Sequence, residues 1–300
     1  MISPVDLMAT DEASIDAPPA LASGRRRAMR DFRRNIPAMI ALVFLVALVL
    51  SAVFASRIAP YDPTKPEFKR LFAKPFGDGH LLGTDGLGRD VLSRLLYASR
   101  TSLVAGIGSV LLSLLVAVPL GLFAGYIGGK IDAVVMWLIN MVLSIPPLIL
   151  VFAVAGVLGP SLKNVVVALA VYFTPLFVRL VRGEAQQLRQ SQLVEAEIGL
   201  GASHGYVMWR HILPALSPAL VVQGALSIGV AIIAEASLSF IGVGVRPPAS
   251  SWGMMVSIAF NDLQPHPWMI FIPGATIGLT VLAINVVGNG LIDVLGRGVR

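Results

Sequence analysis

The stretch Val194 to Pro214 reads VEAEIGLGASHGYVMWRHILP. It is polar and glycine-broken, yet it stands between two long apolar runs in a chain of mean hydropathy +0.79. Good helix formers extend from Glu184 to Leu200, Gly201 suits the left-handed residue just past a helix end, and Ser203 can cap a second short helix. Pro214 and Pro218 then start the next apolar run in first-turn positions. The pattern predicts a helix–turn–helix knob projecting from a membrane, with its motion passed to the following span with little slack.

The surroundings support a membrane. Of 300 residues, 56% are hydrophobic and 13% charged, about half the charged fraction of an ordinary soluble domain. Such a chain has too little polar surface to cover its core in water, whereas lipid solvates apolar side chains directly. Cysteine is absent, which excludes disulfide frameworks and thiolate metal sites. The net charge of +6 flanks apolar spans and forms no stripe with interleaved aromatics, so nucleic acid is not the expected partner; lipid is.

Residues 1–35 read as a disordered, basic cytoplasmic tail, ending in the cluster Arg25, Arg26, Arg27, Arg30, Arg33 and Arg34. The apolar run that follows places the first transmembrane helix within 36–58; it exceeds the core of a cleaved signal peptide. Residues 59–100 read as an extracytoplasmic segment with an amphipathic helix at Val91–Ser99. Further spans are expected near 101–127, 131–157, 163–181, 215–241 and 267–292, making about six in an all-α polytopic fold. Pro146 and Pro147 break the third span and Pro175 the fourth, whose apolar stretch is short enough to make Arg179 snorkel. Gly121/Gly125 and Gly274/Gly278 predict close helix packing. Bases beside short loops (Lys130, Arg179, Arg182, Arg189, Arg210, Arg297, Arg300) put both termini and the 182–214 loop in the cytoplasm.

Catalytic patterns are missing. AGYIGGKI (Ala124 to Ile131) lacks the first Gly and the Ser/Thr of a phosphate-binding loop, and no histidine pair has zinc-ligand spacing with a third ligand nearby. GTDGLGRD (Gly83 to Asp90) reads as a glycine turn in which Asp90 caps the following helix, in preference to a phosphate loop or calcium site. Glu235 is the one ionisable group deep in a span. It either lines a pathway, with Gln223, Asn285 and Asn289 as further polar groups facing the bundle interior, or reaches the outer interface.

At the opening stretch the chain resembles the inner-membrane permease subunits of ATP-binding-cassette importers. Their signature is EAA, three residues, Gly, nine residues, then His-x-Leu-Pro, matched here by Glu195-Ala196-Glu197, Gly201 and His211-Ile212-Leu213-Pro214. HLLGTDGLGRDVLSRLLYASRTSL (His80 to Leu103), LSIPPLIL (Leu143 to Leu150), EASLSFIGVGVRPPASSWGMM (Glu235 to Met255) and the run Pro267 to Leu295 narrow the resemblance to the dipeptide/oligopeptide/nickel group, as the C-type member of the permease pair. The resemblance implies a translocation pathway for di- or oligopeptides in the bacterial inner membrane. It also implies a second homologous permease, two cytoplasmic ATPases that carry ATP and Mg, and an extracytoplasmic substrate-binding protein. This chain itself would bind no cofactor or metal and would not be an enzyme. Coupling to an ATPase would run through Glu195, Ala196, Glu197, Gly201, Ala202, Ser203, His211, Leu213 and Pro214. Glu197 stands where the family usually has Ala, with an expected effect on docking, and Asn140 and Asn289 where Asp is common.

The competing reading is a secondary transporter or channel driven without ATP. It calls for mid-membrane ionisable groups and inverted repeats, and one Glu235 among six spans gives it little support. Nickel chelates or glutathione are the alternative cargoes within the importer reading.

Overall fold

A computed structural model describes residues 34–295; the tail before them, most of its arginine cluster, and Arg297 and Arg300 lie outside the described residues. The helices are α1 (Ile36–Val53), the single turn α2 (Ala55–Ile58), α3 (Val91–Ile127), α4 (Gly129–Leu143), α5 (Pro147–Leu158), α6 (Leu162–Arg189), α7 (Gln192–Gly199), α8 (His204–Val207), a π-helical turn at Met208–Ile212, α9 (Leu213–Phe240), α10 (Trp252–Asn261) and α11 (Trp268–Leu295). Five of them, counting His204–Phe240 as one, are long and apolar enough to cross a bilayer, and the bent pair α4 and α5 makes a sixth where the two count as one span.

Several boundaries correct the sequence reading. The third span is no single rod: Pro146 and Pro147 end α4 and start α5 at a bend of 89°. The amphipathic helix expected at Val91–Ser99 is the first part of α3 itself, which runs unbroken for 37 residues from the cap at Asp90. The helix expected over Glu184 to Leu200 is two: α6 continues to Arg189, an extended Ser191 interrupts it, and α7 follows. That break lets Val194 turn into the core. Pro218 lies inside α9, beyond the first turn, because the helix already starts at His204. The π turn widens the backbone just before Pro214, whose ring would clash with the carbonyl of a regular preceding turn.

Packing follows from small residues on the long helices. A β-carbon on Gly121 would sit 2.6 Å from Val181 Cβ, and one on Gly125 would sit 2.5 Å from the Arg182 carbonyl, so α3 and α6 approach to backbone contact as expected. Gly274 and Gly278 behave differently, with nothing among the described residues within 4 Å of a β-carbon at either. The central core joins Val110, Ala117, Phe173, Phe177, Val178 and Ala231 of α3, α6 and α9.

The bundle has two ends. At one, residues 59–90 form a cap over the end of α1, the start of α3 and α10. At the other lie the end of α3, the start of α4, the end of α6 and the knob of α7, α8 and the π turn. Ile36, Pro37 and Ile40 share a groove with Leu282, Ala283 and Val286, so the start of α1 and the far part of α11 reach this knob end together. Arg182 pairs bidentately with Asp132 there, and Arg179 donates to Asn140 Oδ1 at 2.8 Å, so both arginines are engaged by α4.

Candidate functional site

The knob is a polar segment bolted down by a few apolar side chains. Val194 of α7, 2% exposed, joins Val207, Met208, Ile212 and Leu216 against Leu122 and Tyr126 of α3 and Val181 and Ala185 of α6. Fully burying a side chain of this size contributes about 1.5–3 kcal/mol, enough for the cluster to fix the knob on three long helices. Tyr126 adds a polar tie, its hydroxyl 2.9 Å from His204 Nδ1, with the Arg189 guanidinium over its ring at 6.0 Å.

Helical spacing then decides which signature residues face out. Glu195 and Ala196 are exposed, as are Leu193, Ile198 and Leu200, the last at 89%. Glu197, three residues after Val194, shares its inward side and places Oε1 3.0 Å from His211 Nε2, at ion-pair distance without the alignment of a hydrogen bond. Gly201 adopts φ +90°, the left-handed region that favours glycine, and the Ala202 amide closes the turn by donating to the Glu197 carbonyl at 3.0 Å. Half-buried Ala202 leads to exposed Ser203, whose hydroxyl oxygen accepts from the Tyr206 amide at 3.3 Å. Half-buried Leu213 and exposed Pro214 begin α9, and Tyr206 and Trp209 stand exposed beside them. The segment therefore presents an exposed apolar rim, with Glu195 also exposed, on a mount fixed by buried side chains.

At the opposite end, GTDGLGRD is a structural hub. A β-carbon on Gly83 would lie 2.2 Å from the Ala73 carbonyl and one on Gly88 2.0 Å from the Glu67 carbonyl, so both glycines let residues 67–73 pack directly on the turn. Asp85 accepts from the amides of Leu87 and Arg89, pairs with Arg89 at 2.8 Å and lies 3.5 Å from buried Arg94. Arg94 in turn donates to Ser250 and to the Pro63 carbonyl. Asp90 caps α3 through the Ser93 amide at 2.7 Å and holds His80 at 2.9 Å. Both aspartates are committed to protein donors.

Glu235, 1% exposed, is enclosed by its own chain. Ser102 of α3 donates to Oε2 at 3.0 Å, Ser239 donates to Oε1 at 2.6 Å, and the Trp252 amide donates to Ser102 Oγ at 3.2 Å. The carboxyl thus ties α3 to α9, and Ser102 extends the tie to α10. Gln223, half-buried, lies about 18 Å further along α9 and contacts Ser227 at 3.4 Å, while half-buried Asn285 belongs to α11. The three residues expected along a pathway are not brought together within this chain. Sequence reasoning missed Val194, Val207 and Tyr126 as mounts and Ser102 as the partner of Glu235. The valines carried a signal, as isolated apolar residues in a polar stretch; Ser102 and Trp252, 150 residues apart, carried none.

A helical bundle with long apolar helices, a mounted polar knob at one end and a folded cap at the other has the architecture of a polytopic membrane protein. Residues 117–300 match the family described as binding-protein-dependent transport system inner membrane component, and residues 23–75 match the N-terminal TM domain of oligopeptide transport permease C. The chain belongs to this family of binding-protein-dependent transport permeases. It is 40% identical over 271 residues to the glutathione transport system permease protein GsiD of Pectobacterium atrosepticum, covering 90% of each chain. It is 39% identical over 272 residues to the di/tripeptide transport system permease protein DppC of Pseudomonas aeruginosa, covering 89% of each. The fold matches a chain of the MetNI methionine ABC transporter in an inward-facing conformation with a TM-score of 0.55 at 20% identity, over 68% of this chain and 96% of that one.

Proposed function

We propose that this chain forms half of a translocation pathway for di- or oligopeptides, or for a peptide-like solute such as glutathione, and that Val194–Pro214 couples the pathway to ATP hydrolysis on a partner. The observation that carries the reading is the knob: exposed Leu193, Leu200, Tyr206 and Trp209, with Glu195 also exposed, mounted on the ends of α3, α6 and α9. Exposed apolar residues clustered with a charge suit a protein partner better than water. The partner is a cytoplasmic ATPase carrying ATP and Mg, one of two. A second homologous permease completes the pathway and an extracytoplasmic binding protein delivers the cargo to the cap end. The knob, the start of α1 and the far part of α11 then face the cytoplasm. The chain contributes no ATPase site of its own, and Gln223, Asn285 and Glu235 act on the pathway from the bundle interior. The ATP-independent transporter reading finds no support in the relatives, which are binding-protein-dependent permeases.

The test is the complex reconstituted in proteoliposomes, with uptake and ATP hydrolysis measured against loaded binding protein. Leu200→Asp and Glu195→Lys should insert normally yet lose uptake and stimulated hydrolysis, because one removes apolar contact and the other reverses a charge at the rim. Normal coupled uptake by both at equal abundance would refute the assignment of the knob. Competition of uptake by dipeptides, glutathione and a nickel chelate decides the cargo.

A further inference from the structure

Glu197 follows the exposed signature residues Glu195 and Ala196, and the structure half-buries it. Its carboxylate lies 3.0 Å from His211 Nε2, with the side chains 18% and 27% exposed. The two residues sit on opposite limbs of the knob, Glu197 on α7 and His211 in the π turn, joined by the left-handed turn at Gly201. The Tyr206 ring packs against His211 at 5.5 Å, covering the pair from α8. The Glu197 carbonyl also accepts the Ala202 amide, so the same residue closes the turn through its backbone.

We propose that Glu197 and His211 form an internal brace that sets the angle between the limbs of the knob, making Glu197 a positioning residue and not a contact to the ATPase. The proposal rests on the coupling reading above for its consequence and on geometry alone for its existence. A small residue at 197 leaves the limbs joined only by the turn and the apolar mount. With Glu197 the pair adds a contact between α7 and the π turn, on the side away from Glu195. The rim is then presented in one arrangement to whatever docks on it.

The experiment uses the assembled complex and the natural absence of cysteine. Nitroxides on single cysteines at Leu193 and Trp209, one on each limb, report the interlimb distance by pulsed electron resonance. Glu197→Ala, Glu197→Gln and His211→Gln should each broaden the distance distribution. The swap Glu197→His with His211→Glu should narrow it again. Maximal stimulated ATP hydrolysis should fall about two- to fivefold in the single variants, the range for a partly exposed ion pair, and recover in the swap. The concentration of loaded binding protein giving half-stimulation should stay unchanged, since that partner docks at the other end. Wild-type distances in the single variants, or a swap no better than they are, overturn the brace. Leu200→Asp separates the two readings: if it also couples normally, the knob is not the coupling element and the brace positions nothing.

Discussion

Gly201 gives the most direct energetic handle on the knob. Its φ of +90° is strained for a side chain, yet nothing among the described residues lies within 4 Å of a β-carbon built there, so a substitution meets no steric wall and its cost is torsional. For an alanine the left-handed region costs about 1–2 kcal/mol, for a β-branched residue more, and for asparagine distinctly less because its side chain bonds locally. If the knob must hold this turn to dock, 1–2 kcal/mol lowers the docked population roughly 5- to 30-fold. Stimulated ATP hydrolysis in the reconstituted complex should therefore rank wild type, Gly201→Asn, Gly201→Ala, Gly201→Val, with the last near the basal rate at normal membrane abundance. Equal activity of the Asn, Ala and Val variants would refute the torsional account, since the open space leaves no other term to separate them.

Two further outcomes follow from the geometry. Glu235→Leu leaves the Ser102 and Ser239 hydroxyls without their acceptor and should destabilise the solubilised protein by about 1–3 kcal/mol, whereas Glu235→Gln keeps an acceptor and should cost less; thermal unfolding in detergent measures the difference, and equal midpoints would dismiss the three-helix tie. Single cysteines at Asp78 in the cap and at Leu200 in the knob, both exposed, should differ in intact cells: an impermeant maleimide labels 78 and spares 200, and the reverse pattern inverts the proposed orientation.

Most of the bundle was legible because its signals are local. Long apolar runs name the spans, the proline pair Pro146-Pro147 names the break in the third, and Gly201 and Ser203 name the turn and the cap of the knob. Boundaries were harder where punctuating residues do not mark them. Helix α6 runs through Gly183, which would suit an end, to Arg189, and its interruption at Ser191 answers to the burial of Val194, a tertiary demand. The same limit hid Arg94 with Asp85, Arg182 with Asp132 and Glu235 with Ser102, whose partners lie on other elements. Gly121 and Gly274 make the point in reverse: identical small-residue spacing, one pair buried against α6, the other with nothing among the described residues against its β-carbon positions.

The cap bears on how the protein is made. In the proposed orientation Lys65, Lys69, Arg70, Lys74, Arg89 and Arg94 all cross the bilayer, against the usual bias that keeps basic residues on the cytoplasmic side. An unfolded loop with that charge could slip back. Once across, Asp85 holds Arg89 and Arg94, the glycines at 83 and 88 let residues 67–73 fold down, and Arg100 bonds the last carbonyls of α1. Return would then require unfolding the cap and carrying a buried ion-pair network through hydrocarbon, so the folded cap holds the first hairpin across the membrane.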